Sequence, residues 1–190
     1  MTDRVSDIAL RRGRVQAAMR ERGLRGLVIY FGGQHYMLRM NQLMYLTDFK
    51  ALGQAALLVP DDGLPTLIVS PEWDLPRARE EAVGVADILA VAPEALAGEI
   101  ATRARLRPKP FALAGSEGMT VAFSRALLAG LGAEPANADT LESSLAATRT
   151  PVELERIEKA AAIADAGFVA LRETARVDID RKSTRLNSSH

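Results

Sequence analysis

Short apolar runs alternate with longer amphipathic stretches along most of this chain, and that alternation is the strongest constraint on its fold. Leu27-Val28-Ile29-Tyr30 is a continuous apolar run of strand length, suited to a strand covered on both faces. Residues 55–59, 66–69, 87–91 and 111–114 repeat the theme, and 134–137 is a weaker version of it. Pro60-Asp61-Asp62-Gly63-Leu64-Pro65 separates the second and third runs with the chemistry of a hairpin turn, so that pair is expected to be antiparallel. Helical periodicity fills the gaps. Residues 7–22 place Ile8, Val15, Ala18 and Met19 on one face, with Ser6 as cap and Gly23 as stop. Further helices are predicted over 72–83, 93–105 and 120–131, the last ended by Gly130 and Gly132. Short ones are expected within 37–47 and 140–145. The predicted class is α/β: a three-layer mixed β-sheet with helices on both faces, followed by one long isolated helix.

That last helix has a well-marked start. Thr150-Pro151-Val152-Glu153 reads as a capping box with proline at the first helical position, which satisfies or removes several orphan amides. Leu154, Ile157, Ala161, Ala164, Phe168 and Leu171 then step by three and four, giving one apolar stripe along about six turns. The preceding domain is expected to close near residue 147, with 147–150 as linker.

Composition removes several function classes. The 190 residues carry 24 Lys and Arg against 24 Asp and Glu, with no basic run of the kind that tracks nucleic acid. No apolar run nears the roughly eighteen residues of a membrane span, and the polar start lacks a signal-peptide core. The absence of cysteine excludes disulfides and thiolate chemistry, and a cytoplasmic location is the expectation. Residues 180–190 show no packing pattern and resemble the translation of a sequencing-library adapter. Without that tail's three basic residues and one acid, the balance is 21 against 23, and His35 is the only histidine left of two.

Few residues suggest catalysis. One histidine cannot build a multi-histidine metal site, and the paired acids Asp61-Asp62 and Glu80-Glu81 fit a turn and a solvated helix face. Gly115-Ser116-Glu117-Gly118 sits where a nucleophile elbow would, but departs from Gly-x-Ser-x-Gly and reads as a strand-to-helix turn. No phosphate-binding glycine motif is present. Residues 31–39, Phe-Gly-Gly-Gln-His-Tyr-Met-Leu-Arg, gather glycine freedom, a titratable ring, a hydroxyl and a guanidinium. Such a loop could present His35, Tyr36 and Arg39 to a ligand's carboxylate or a neighbouring subunit, or simply satisfy local backbone. Trp73 reads as a partly buried anchor.

Three stretches, in order, resemble the N-terminal domain of the creatinase and Xaa-Pro aminopeptidase (prolidase-like) family. Arg14 to Ile29 resembles its opening helix and first strand. Tyr45-Leu46-Thr47-Asp48-Phe49 resembles its Tyr-Leu-Thr-Gly-Phe, with Asp48 in place of the usual glycine. The segment from Leu145 to Glu155, Leu-Ala-Ala-Thr-Arg-Thr-Pro-Val-Glu-Leu-Glu, resembles the junction to its pita-bread catalytic domain.

The resemblance implies residues 1–147 as that N-terminal domain, and 148–179 as linker plus the first helix of an absent catalytic domain. It implies a parent that hydrolyses bonds next to proline in peptides or small amides, using a dinuclear divalent metal (Mn, Co or Zn). The family's ligands, two Asp, one His and two Glu, lie in the catalytic domain, so no catalytic or metal residue carries over and the fragment is expected to be inactive, with no cofactor of its own. The N-terminal domain is expected to support homodimerisation and active-site access, with His35, Tyr36 and Arg39 shaping entry. Two alternatives remain: a non-catalytic protein-interaction module on the same scaffold, or part of a creatinase-like, metal-independent C–N hydrolase. Neither nucleic acid nor membrane is an expected partner.

Overall fold

The computed structural model describes residues 2–33, 42–106, 110–141 and 147–175. The chain divides into two compact units, Met1–Thr148 and Arg149–His190.

In the first unit, six strands form one sheet: β1 (Gly26–Phe31), β2 (Gln54–Pro60), β3 (Thr66–Ser70), β4 (Asp87–Ala90), β5 (Phe111–Ala114) and β6 (Ala136–Asn137). Their order is β4-β3-β2-β1-β5-β6. β2 runs antiparallel to both neighbours, with Leu27 opposite Val59 and Leu57 opposite Leu67, so the hairpin expected across residues 60–65 forms. The β1–β5, β3–β4 and β5–β6 pairs are parallel. Five strands therefore point their carboxyl ends to one edge of the sheet, and β2 alone begins there.

Alternation along the strands feeds two cores. Leu27, Ile29, Leu57, Val59, Leu67 and Val69 face one side, where they meet α1 (Thr2–Glu21), α2 (Gln42–Thr47) and α3 (Leu75–Glu81). Val28, Tyr30, Ala56, Leu58 and Ile68 face the other, against α4 (Leu96–Arg105) and α5 (Val121–Leu131). Each fully buried Leu, Ile or Val contributes about 1.5–3 kcal/mol, which is why both layers are needed to hold a sheet that is apolar on both faces. The α/β three-layer expectation holds.

The first helix departs from its expected start. It begins at Thr2, leaving Ser6 within the helix as an exposed residue. Tertiary contacts override the capping preference of serine: Arg4 is tied to residues far along the chain, and Asp7 pairs with Arg11 one turn on. Ile8, Val15, Ala18 and Met19 are buried as their spacing predicted. The helix stops at Gly23, whose amide donates to Arg20 while that of Leu24 donates to Met19, the two bonds of a Schellman end. α5 ends similarly at Gly132 but runs through Gly130. A Cβ at Gly130 would come 2.6 Å from Ala101 Cβ, so this glycine serves the close crossing of α5 on α4 rather than a helix end.

The second unit contains α6 (Pro151–Thr174). Its capping box is complete: Thr150 Oγ1 accepts from the Glu153 amide at 3.2 Å, and Glu153 Oε2 accepts from the Thr150 amide at 2.8 Å. No residue of the helix is buried, and Phe168 is 68% exposed at the centre of the apolar stripe.

Candidate functional site

In open α/β sheets, ligands gather at the carboxyl ends of parallel strands, where connections diverge. Here that edge is formed by the ends of β1, β3 and β5 and the start of β2. Close backbone packing requires glycine there. A Cβ on Gly32 would lie 2.5 Å from the Gly118 carbonyl oxygen, and one on Gly115 would strike the carbonyl oxygen of Tyr30. Gly115 also takes φ +81, the left-handed turn out of β5. Beneath them the Tyr30 ring lies 4.5 Å from that of Phe123, and burial pushes the Tyr30 hydroxyl pKa up.

The polar groups at this edge are mostly neutral. Gln54 and Ser70 stand opposite each other on β2 and β3. Gln54 Oε1 and the Ser70 hydroxyl are buried without a hydrogen-bond partner among the described residues. Charge enters at Asp139, just past β6. Its carboxylate accepts from the Gly115 amide (2.7 Å), the Ser116 amide (3.2 Å), Ser116 Oγ (2.7 Å) and Asn137 Nδ2 (3.2 Å). Burial alone would raise its pKa, but the bonds from Ser116, Gly115 and Asn137 outweigh it and hold the pKa below the ordinary aspartate value. A carboxylate so stabilised is a weak base. Ser116 donates its proton to a structural clamp, not to a catalytic base, so the turn reading of Gly115-Ser116-Glu117-Gly118 fits the geometry and the nucleophile elbow does not.

His35, Tyr36 and Arg39 lie outside the described residues, as do 176–190. The residues on either side of 34–41 are described. Upstream, Phe31, Gly32 and Gly33 leave the carboxyl end of β1. Downstream, α2 is held by side chains that sequence reasoning passed over. Arg11 lies 5.2 Å over the Tyr45 ring and donates to the Tyr45 carbonyl at 3.2 Å, while its other nitrogen pairs with the buried Asp7. Thr47 Oγ1 donates to Leu43 O at 2.7 Å and accepts from the Phe49 amide at 3.2 Å. Tyr45, Leu46, Thr47 and Phe49 are all buried. The stretch from Tyr45 to Phe49 is thus a helix end with a core plug, not a ligand motif.

Asp48 explains its own departure from glycine. It adopts φ +58, the left-handed conformation that favours glycine and, after it, Asn or Asp. Arg4 Nε meets its carboxylate at 2.5 Å.

Trp73 is not the partly buried anchor expected. It is 58% exposed, because its neighbour Asp74 takes the buried position, accepting from the Leu52 amide at 3.1 Å and from Arg77 Nη1 at 2.7 Å. With Leu52 also exposed, this corner of the edge shows an indole and an aliphatic side chain to solvent. The Asn137-x-Asp139 spacing was the legible signal for the Asp139 clamp, since the Asp139 amide donates to Asn137 Oδ1 in an Asx-type turn.

Among the described residues, no three His, Cys, Asp or Glu side chains converge to hold a metal ion. The buried carboxylates are committed elsewhere: Asp7 to Arg11, Asp61 to Arg25, Asp74 to Arg77, and the partly buried Asp48 to Arg4. No described helix is long and apolar enough to cross a membrane.

Residues 11–145 match the family described as Creatinase/Prolidase N-terminal domain. No curated protein matches the chain. Among solved structures, the Xaa-Pro dipeptidase from Bacillus anthracis gives a TM-score of 0.69 at 19% identity, over 89% of this chain and 44% of that one. The prolidase from Pyrococcus horikoshii OT3 gives 0.65 at 18% identity, over 87% and 43% respectively. An Xaa-Pro aminopeptidase chain from Streptococcus pyogenes gives 0.57 at 20% identity, over 74% of this chain and 98% of that one. This chain thus spans less than half the length of the first two, and at these identities the likeness is one of fold. The family match covers well over half of the sequence, and with a mixed sheet layered by α1–α3 and α4–α5 this chain belongs to the creatinase/prolidase N-terminal domain family.

Proposed function

We propose that this chain is the N-terminal domain of an Xaa-Pro peptidase-like hydrolase, serving subunit assembly and access to the active site rather than performing catalysis itself. The observation that carries the reading is the family match over residues 11–145, joined to a fold shared with proteins named prolidase and Xaa-Pro dipeptidase. The donor set supports the division of labour. The carboxylates of Asp7, Asp48 and Asp74 are held by arginines and that of Asp139 by backbone amides, and the reading assigns a dinuclear Mn, Co or Zn centre to a catalytic domain. The parent's substrates are peptides with proline after the scissile bond, or related small amides. Its assembly is a homodimer in the cytoplasm. His35, Tyr36 and Arg39 line the route to the active site.

Residues 148–179 are, in this reading, the linker and first helix of the catalytic domain. The exposed apolar stripe of α6 supports it, since Leu154, Ile157 and Phe168 need a partner surface. The locus beyond codon 179 provides the test. An open frame carrying, in order, two Asp, one His and two Glu on a pita-bread scaffold is the expected result. A frame without them would replace this reading with the non-catalytic interaction module, and a frame with a different, metal-free pocket would point to the creatinase-like alternative.

A further inference from the structure

Three helix ends meet where the first turn of α1 crosses the domain. Arg4, in that first turn, places Nε at 2.5 Å from Asp48 Oδ2 and donates from Nη2 to Glu81 O at 2.6 Å. Asp48 is the left-handed residue immediately after α2, and Glu81 is the last residue of α3. The exits of α2 and α3 are themselves joined, the Val83 amide donating to Thr47 O at 2.8 Å. One guanidinium therefore serves two chain reversals at once. It supplies a donor to an orphan C-terminal carbonyl of α3, and a cation to a carboxylate on a backbone that an L-residue enters only at a cost.

We propose that Arg4 is a conformational strap: the first turn of α1 holds Asp48 in its left-handed conformation and thereby fixes α2, the helix into which residues 34–41 lead. The pieces divide the work. The Asx side chain makes φ +58 accessible, and Arg4 makes it persistent. Arg11, about two turns further along the same face of α1, grips the middle of α2 through the Tyr45 ring and carbonyl, so α2 is secured at two heights by one helix. The strap is local. Arg4 is partly exposed and lies outside both apolar cores, so loosening it frees α2 without unfolding the sheet.

The test is amide hydrogen exchange on the full chain, read residue by residue. The reporters are the amides of Asp48, bonded to Met44 O, and of Val83, bonded to Thr47 O; Val28 and Leu113, in β1 and β5, are the references. Arg4→Ala is expected to speed exchange at both reporters at least tenfold while changing the references less than twofold. In the Asp48→Gly background the left-handed turn has no Cβ to accommodate, and Arg4→Ala is expected to speed the Asp48-site amide less than threefold. Arg4→Gln, which keeps polarity and length but not the charge, should behave as Arg4→Ala, and it serves if the alanine variant fails to fold. Equal acceleration in both backgrounds, no acceleration at the reporters, or acceleration shared by the reference amides would overturn the strap.

Discussion

The two faces of the sheet are built on different principles. The α4/α5 face is packed by Leu96, Ile100, Leu127 and Leu131 against Val28, Leu58 and Ile68, with no buried ion pair among the described residues. The α1/α2/α3 face has an equally apolar floor, but its helices are positioned by arginines: Arg4 on Asp48 and Glu81, Arg11 on Asp7 and Tyr45, Arg77 on Asp74 and over the Phe49 ring. Apolar packing rewards burial almost irrespective of direction, whereas a guanidinium fork accepts few geometries. The face that carries α2 is thus the one whose geometry is specified most narrowly.

The sharpest way to break this contrast is at Arg11. Arg11→Met leaves Asp7 buried without its cation and should lower the free energy of unfolding by about 3–5 kcal/mol. Adding Asp7→Leu should recover more than half of that loss in urea denaturation, since an apolar pair of similar volume no longer needs a partner. A double variant as unstable as the single would mean that the charges themselves stabilise this face.

On the opposite face Leu127→Ala should cost about 2–4 kcal/mol, with no second substitution able to compensate by charge. A loss below 1 kcal/mol would show α5 to be loosely packed.

The Asp139 clamp at the carboxyl edge predicts a smaller, pH-dependent effect. Its folded pKa is lowered, so its contribution is fully present above the ordinary aspartate range and is lost as pH falls through that range towards the lowered value. Asp139→Ala should cost about 1 kcal/mol at neutral pH and less at the acid end, as thermal melts across that window would record. A constant difference at every pH would remove the charge from the explanation.

At the end of the scale, Thr150→Ala opens the capping box of α6 and should weaken that helix by about 1 kcal/mol. Amide exchange over residues 152–172 is expected to be faster than in β1 and β5 before the change, and faster still after it. Protection of α6 equal to that of the central strands, in a monomer, would contradict the exposure of Leu154, Ile157 and Phe168.

How much of this could be read from the residues follows the same division. Strands with runs such as Leu27 to Tyr30 or Phe111 to Ala114 announce themselves, because burial on both faces leaves no room for polar residues. Caps are local, so Thr150 and Gly23 were visible too. What escaped were pairings across 34 to 77 residues of chain: Arg4 to Asp48 and Glu81, and Arg11 to Tyr45. No periodicity encodes such partners. Trp73 misled for a related reason, because hydrophobicity suggested burial while the adjacent Asp74 had the hydrogen bonds that took the inner position. The site residues His35, Tyr36 and Arg39 were chosen for their chemistry alone and lie outside the described residues.

The role proposed for this domain is control of access to a hydrolase active site. It is tested most directly by kcat/KM for an Xaa-Pro dipeptide, measured on a full-length protein that carries this domain with His35→Ala and Arg39→Ala together, alongside its oligomeric mass. The expected result is a fall in kcat/KM of at least tenfold, carried mainly by KM, with metal content unchanged. Unchanged kcat/KM in a protein of unchanged assembly would contradict it.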